Sequence, residues 1–244
     1  MSQLVLPLST PPRFTFENLV VHDGIQEAVL TIRSVYGSLQ RPAPSLYLYG
    51  THGTGKTHIL KALTDLLIRE ARGLHCTVLT IEPVGLPPSF PDLRRSIAED
   101  PPDGRSLFAA AIDDVHLIQG EDAGHLWNLS NKLTRTGAPL LMGSRTPLEE
   151  TFTDNPHLQS RIKSGLVFRL EPPEDAIRMV IVDKLARDRN VRVSREVIHY
   201  LISRKSRNIK ELDGILDALD HASLKLKRRI TVPLIKVLED EGTI

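Results

Sequence analysis

The chain has 244 residues, 41% hydrophobic and 25% charged, which is ordinary globular composition at a length that suits one large domain, alone or with a small one attached. A formal net charge of +1 gives no global reason to expect nucleic-acid binding, and the single cysteine, Cys76, excludes an internal disulfide and fits a reducing cytosol. No apolar run approaches the ~18 residues of a membrane span, and the amino terminus lacks the regions of a signal peptide, so a cytoplasmic protein without a membrane partner is expected.

Residues 1–12, closed by Pro11 and Pro12, read as an extended tail. A helical pattern runs from Asp23 to about Ser38. Candidate strands then alternate with helices: Leu46–Tyr49, Thr77–Ile81, Phe108–Ile112, Leu140–Gly143 and Leu166–Leu170. Their mostly continuous apolar runs suit parallel strands covered on both faces, and the alternation predicts a three-layer α/β domain. Pro83 to Pro91 and Pro101 to Gly104 read as loop around a short helix. After Glu171-Pro172-Pro173 no strand follows, and four helices are expected at about 174–189, 195–203, 209–226 and 232–239. Asn208 with Glu211 makes a capping-box-like start for the third, whose apolar face is Leu212, Ile215, Leu216 and Leu219. Thr231 caps the last. The expected organisation is a tail over 1–12, an α/β base over 13–171 and a helical domain over 172–244.

One stretch carries clear chemistry: Gly50-Thr51-His52-Gly53-Thr54-Gly55-Lys56-Thr57, between the first strand and a helical pattern from Ile59 to Ile68. It satisfies G-x-x-x-x-G-K-[ST] in the strand–loop–helix setting that separates this motif from an ordinary Gly-rich turn. Glycines let successive N–H groups turn inward around a phosphate at the positive end of the following helix. Lys56 would reach the β/γ-phosphates and the Thr57 hydroxyl would hold Mg²⁺. A second element supports the first, because the third strand ends in Asp113-Asp114. Paired carboxylates there put Asp113 on the metal side and Asp114 on the side of an attacking water. His52, His58 and His116 flank these motifs but show no metal-ligand spacing with Cys76 or with one another. Trp127, Leu129 and Leu133 read as helix core.

GTHGTGKTH, AIDDVHLI, the turn Ser144-Arg145-Thr146-Pro147, LQSRIKSGLVFRLEPP and RNIKELDGIL together resemble the AAA+ core of the bacterial replication initiator DnaA, over nearly the whole chain from Phe14. The implied fold is an AAA+ P-loop NTPase with a parallel five-stranded sheet and a carboxy-terminal helical lid. The closing RRITVPLIKVLE resembles the last lid helix, where the initiator would continue into a DNA-binding domain. That combination is similar to the Hda branch of the family, regulators that switch off the ATP-bound initiator. The tail segment Gln3-Leu4-Val5-Leu6-Pro7-Leu8 resembles the Hda peptide for the sliding clamp. An extended chain would put Leu4, Leu6 and Leu8 on one side, with Pro7 restricting it before binding and Gln3 as an orienting handle.

The resemblance implies further roles. Arg161, in Ser160-Arg161-Ile162, matches the arginine finger that enters a neighbour's nucleotide site. Ser144 stands at the first-sensor position, where the initiator carries an acidic residue, and Lys210 stands at the second, with Arg207 as a substitute. Leu19, Val20 and Val21 match the adenine pocket, although core packing explains the same residues. His52, within the phosphate-binding stretch, and His58, directly after it, are implied nucleotide contacts, with Gly50, Thr51, Gly53, Thr54 and Gly55. The implied cofactors are ADP or ATP with Mg²⁺. The implied partners are the initiator DnaA and the DNA polymerase sliding clamp, with DNA contacted only indirectly and a homodimer compatible. Slow ATP hydrolysis in cis is compatible as well. Two alternatives compete: the ATPase core of an initiator, and a helicase-loading ATPase. The Pro-rich, almost uncharged Glu82 to Pro91 argues against the initiator, which places basic residues there, and the short tail argues against the loader.

Overall fold

A computed structural model describes residues 14–38, 42–70, 77–85, 88–93 and 107–242. The tail residues Gln3, Leu4, Leu6, Pro7 and Leu8, Cys76 and the loop at Pro101 to Gly104 lie outside them. Ile25, Ala28, Val29, Ile32 and Tyr36 recur at helical intervals and are the buried face of α1 (Asp23–Tyr36). Then come β1 (Leu46–Tyr49), α2 (Lys56–Glu70), β2 (Thr77–Ile81), β3 (Leu107–Ile112), α3 (Glu121–Thr136), β4 (Leu140–Ser144), α4 (Leu148–Thr151), α5 (Pro156–Lys163) and β5 (Leu166–Arg169). A 3₁₀ turn, Val115–Leu117, follows β3. The five strands form one sheet in the order β2-β3-β4-β1-β5, every pair parallel, as the apolar runs predict.

Parallel strands must be covered on both faces, and alternate strand residues divide the core accordingly. Leu46, Leu48, Ala109, Ala111 and Leu141 pack with Val29 and Ile32 of α1 and with Ile59 and Leu63 of α2. Tyr47, Ala110, Ile112, Leu140 and Met142 pack with Leu126, Leu129 and Leu133 of α3 and with Leu158 and Ile162 of α5. β5 departs from the expectation of strands buried on both faces. It pairs only with β1 at the sheet edge, so Leu166 and Phe168 pack on the core while Val167 is 38% exposed.

The described chain falls into two compact units, Phe14–Pro172 and the helices from Pro173 onward. The second holds α6 (Asp175–Asp188), α7 (Arg195–Arg204), α8 (Ile209–Leu226) and α9 (Val232–Asp240), around a core that includes Val182, Ile198, Leu201, Leu212, Leu216 and Ile235. Asn208 caps α8 by accepting from the Lys210 N–H at 2.9 Å, and Thr231 caps α9 by accepting from the Leu234 N–H. Glu211 does not complete the expected box on the Asn208 backbone. It accepts from the Ser206 hydroxyl at 2.6 Å and the Asn208 side-chain amide, while the Asn208 N–H goes to Ser206 Oγ. Among the described residues no helix is long and apolar enough to cross a membrane.

Candidate functional site

β4 pairs with both β1 and β3, so the carboxyl ends of these three strands are neighbours and the loops leaving them converge. Gly50 leaves β1 at φ +153°, where a Cβ would stand 2.3 Å from the Leu170 carbonyl oxygen. Gly53 and Gly55 also take positive φ, which only glycine adopts cheaply. Thr54 is buried and its hydroxyl donates to the Thr51 carbonyl at 3.0 Å. Lys56, 7% exposed, turns back into the loop and donates to the carbonyls of Gly50 at 2.7 Å and Thr51 at 2.8 Å, and to Thr54 Oγ1 at 3.3 Å. Burial holds its ammonium below the usual lysine pKa, against the pull of Asp113 and Asp114. A phosphate entering the loop would therefore meet a cation already held at its centre.

The Thr57 hydroxyl donates to Asp113 Oδ2 at 2.5 Å, so the two residues expected to hold Mg²⁺ already meet across the helix start and the strand end. A hydroxyl and a carboxylate are hard oxygen donors of the kind Mg²⁺ takes beside phosphate, and the pair fits it. Burial pushes the Asp113 carboxyl above the ordinary range, with the Thr57 hydrogen bond opposing. Asp114 adopts left-handed backbone, φ +51°, and its N–H donates to Asp113 Oδ1 at 3.0 Å. Its own Oδ1 stands 3.9 Å from both Arg145 Nε and His116 Nδ1. The Arg145 N–H donates to His116 Nδ1 at 3.4 Å. Arg145 and His116 lie in stretches quoted above, but the sequence alone did not mark them as partners of Asp114. The β3–β4 pairing brings Arg145 to Asp114, whereas His116 reaches it through the 3₁₀ turn that follows β3.

Two expected nucleotide residues are placed otherwise. Ser144 is fully buried, and its hydroxyl joins Thr146 Oγ1 at 3.3 Å and Thr151 Oγ1 at 3.2 Å, in a cluster that Tyr47 closes through Thr151 at 2.7 Å. The side chain belongs to the interior because Tyr47 of β1 and Thr151 of α4 supply better partners than solvent. His58 turns to the amino-terminal segment, where Nε2–H donates to the Thr15 carbonyl at 3.0 Å and the ring meets Phe14 edge-on. Leu19 packs on the core beneath this segment, Val20 is half-buried and Val21 is 43% exposed. His52 and Thr51 lie exposed on the loop.

Arg161 lies on α5, half-buried, with its guanidinium 4.8 Å from the centre of the Trp127 ring. Its Nη1 donates to Asn131 Oδ1 at 2.6 Å and Ser130 Oγ at 3.4 Å. Leu129 and Leu133 are core, as expected, but Trp127 is only partly buried and forms a platform for the guanidinium. Within the helical unit, Lys210 is exposed and Arg207 pairs with Asp175 Oδ2 at 2.8 Å.

A family model described as the bacterial DnaA ATPase domain matches residues 10–169, and one described as the Hda lid domain matches residues 175–238. The chain is 26% identical over 243 residues to the chromosomal replication initiator protein DnaA of Caldanaerobacter subterraneus subsp. tengcongensis, covering 96% of this chain and 54% of that protein. It is 28% identical over 237 residues to the Thermus thermophilus protein of the same name, covering 94% and 53%. The chain thus spans about half the length of these relatives. Domain III of Thermotoga maritima DnaA superposes with a TM-score of 0.76 at 22% identity, covering 95% of this chain and 98% of that one. AMPPCP-bound DnaA from Aquifex aeolicus superposes with a TM-score of 0.63 at 23% identity, covering 86% and 65%. At these identities the superpositions show a shared fold.

Proposed function

The chain belongs to the bacterial DnaA ATPase family, and from that premise, with a lid that matches the Hda model, we propose that it ends the ATP-bound state of the replication initiator DnaA by lending Arg161 to the initiator's nucleotide site. The observation that carries this reading is the setting of Arg161. Its charge sits at the surface on an aromatic ring and an amide, and among the described residues no carboxylate is in ion-pair range of it. A guanidinium neutralised by its own fold would have little to offer a partner. One held by neutral groups keeps its charge for the oxygens of a transferring γ-phosphoryl group, where such fingers contribute roughly 10³–10⁵ in rate in GTPases.

The same reading gives the chain an adenine nucleotide of its own. Lys56 would reach its β/γ-phosphates, and Thr57 with Asp113 would hold Mg²⁺, which would neutralise phosphate charge. Asp114 would orient water for slow hydrolysis in cis, and bound ADP would serve structure. The tail residues Gln3, Leu4, Leu6, Pro7 and Leu8 would tether the protein to the sliding clamp, so that DNA is reached only indirectly.

The test mixes ATP-bound initiator, DNA-loaded clamp and this protein, and follows ATP loss. Arg161→Ala should abolish the stimulation while MgADP binding to the chain itself is unchanged; stimulation that survives the substitution overturns the reading. A clamp pull-down with Gln3→Ala and with the pair Leu6→Ala and Leu8→Ala should lose binding, and undiminished binding removes the tail's role.

A further inference from the structure

Ser144 and Arg145 follow one another at the carboxyl end of β4, and their side chains part there. The Ser144 hydroxyl is buried with Thr146 and Thr151, whereas the Arg145 side chain is 43% exposed, with Nε 3.9 Å from Asp114 Oδ1. The peptide that joins the two is held at both of its polar atoms. Its N–H donates to His116 Nδ1 at 3.4 Å, and its carbonyl accepts from the Gly50 N–H at 3.3 Å. Arg145 therefore leaves the strand beside the first residue of the Gly50–Thr57 loop.

The backbone is fixed and the guanidinium is not. Among the described residues it makes no hydrogen bond, and its ion pair with Asp114 is longer than a hydrogen bond allows. Arg69 and Arg169, by contrast, hold Asp65 at 2.6 Å and Glu171 at 2.8 Å. A pair so long and so open to solvent contributes little, and a stronger anion can displace it. The charge nonetheless reaches the loop: after burial, Arg145 is the group that holds the Lys56 ammonium down, against Asp113 and Asp114. The site's own charges thus balance, Lys56 and Arg145 against Asp113 and Asp114. Lys56, Thr57 and Asp113 suffice for Mg²⁺ and two phosphates. A third phosphate would add negative charge near the carboxylate of Asp114, and like charges repel unless a cation stands between them. Arg145 is the cation already beside that carboxylate.

We propose that Arg145 is the residue that tells a nucleoside triphosphate from a diphosphate, its guanidinium leaving Asp114 for the terminal phosphate of the first and staying on Asp114 with the second. The inference rests on the reading that the Gly50–Thr57 loop takes an adenine nucleotide of its own.

The test is equilibrium binding, by calorimetry, of MgADP and of Mg²⁺ with AMPPCP, a triphosphate analogue whose β,γ bridge resists hydrolysis. Arg145→Ala should weaken AMPPCP about tenfold or more and MgADP by less than about threefold, with part of the loss recovered in Arg145→Lys. Equal weakening of both ligands, or no weakening, overturns the inference. A second measurement separates contact with phosphate from mere neutralisation of Asp114. In an Asp114→Asn background, which keeps a residue tolerant of left-handed backbone, Arg145→Ala should still cost AMPPCP about as much as in the parent. If the loss vanishes there, Arg145 only screens the carboxylate, and the inference falls. Lys56→Ala distinguishes the two levels of the argument. If the parent and Lys56→Ala bind neither ligand differently, the nucleotide reading falls and takes the inference with it. If Lys56→Ala loses both ligands while Arg145→Ala matches the parent, only the inference falls.

Discussion

Asp113 rests its carboxylate on the bare Cα of Gly143: a Cβ at position 143 would stand 2.3 Å from Asp113 Oδ1 and 2.9 Å from Leu60 Cδ1. The third strand can therefore end in a carboxylate aimed at Thr57 only because the neighbouring strand has no side chain there. Gly143→Ala should push the carboxylate off Thr57 and weaken MgADP binding by about 10–100-fold, the usual cost of disturbing support around a metal site. Overpacking should also cost about 1–3 kcal/mol. Nucleotide titration and thermal unfolding read the two effects, and full affinity in the variant would mean that Asp113 does not depend on this contact.

Asp113 is itself a charge that the fold keeps at some cost. Burial raises its folded pKa above the unfolded value, so its contribution to stability is most favourable at low pH and is lost as pH rises through the folded value. At neutral pH without a cation the ionised carboxylate is a burden. Asp113→Asn removes the charge and keeps an acceptor for the Thr57 hydroxyl. The ligand-free variant should melt at or above the parent temperature at pH 7, yet lose the extra melting temperature that MgADP confers on the parent. A destabilised variant that still responds to MgADP would contradict both halves.

What was legible in the sequence was local. The five strands and the Gly50–Thr57 loop show in short apolar runs and fixed spacings, and they stand where those patterns put them. Arg145 meets Asp114 and His116 only because β3 and β4 pair in one register, which no local pattern encodes. Ser144 shows the complementary limit. Its place at a strand end was readable, but the direction of its hydroxyl depends on Tyr47, far away in sequence, and on the turn that brings Thr151 back to it. Trp127 was legible as part of a helix, not as the ring under Arg161, because that contact needs α5 to cross α3.

The buried hydroxyl cluster predicts a structural role for Ser144. Besides its links to Thr146 and Thr151, Ser144 Oγ accepts from the Thr146 N–H at 3.2 Å, and Tyr47 OH donates to the Thr146 carbonyl at 3.0 Å. Ser144→Ala leaves that N–H and two hydroxyls short of a partner, at a cost of about 1–3 kcal/mol. Denaturant unfolding should show a lower midpoint at unchanged slope, with nucleotide affinity kept. A tenfold loss of affinity without loss of stability would return Ser144 to the nucleotide site.

His116 predicts the acid side of the stability profile. Its Nδ1 accepts the Arg145 N–H, so the neutral ring carries its proton on Nε2, which is buried without a hydrogen-bond partner among the described residues. Burial lowers the folded pKa below the unfolded 6.5, with Arg145 and Lys56 adding to the shift and Asp114 and Asp113 opposing it. The unfolded chain therefore binds the proton more readily. Stability is fully present above about pH 6.5 and falls as pH drops from there through the folded value. His116→Gln keeps a carbonyl that can accept the Arg145 N–H and has no titration in this range. Its melting temperature should fall less than the parent's between about pH 7 and pH 5. Parallel curves would place the acid sensitivity elsewhere, with His22, also shifted down by burial, as the next residue to replace.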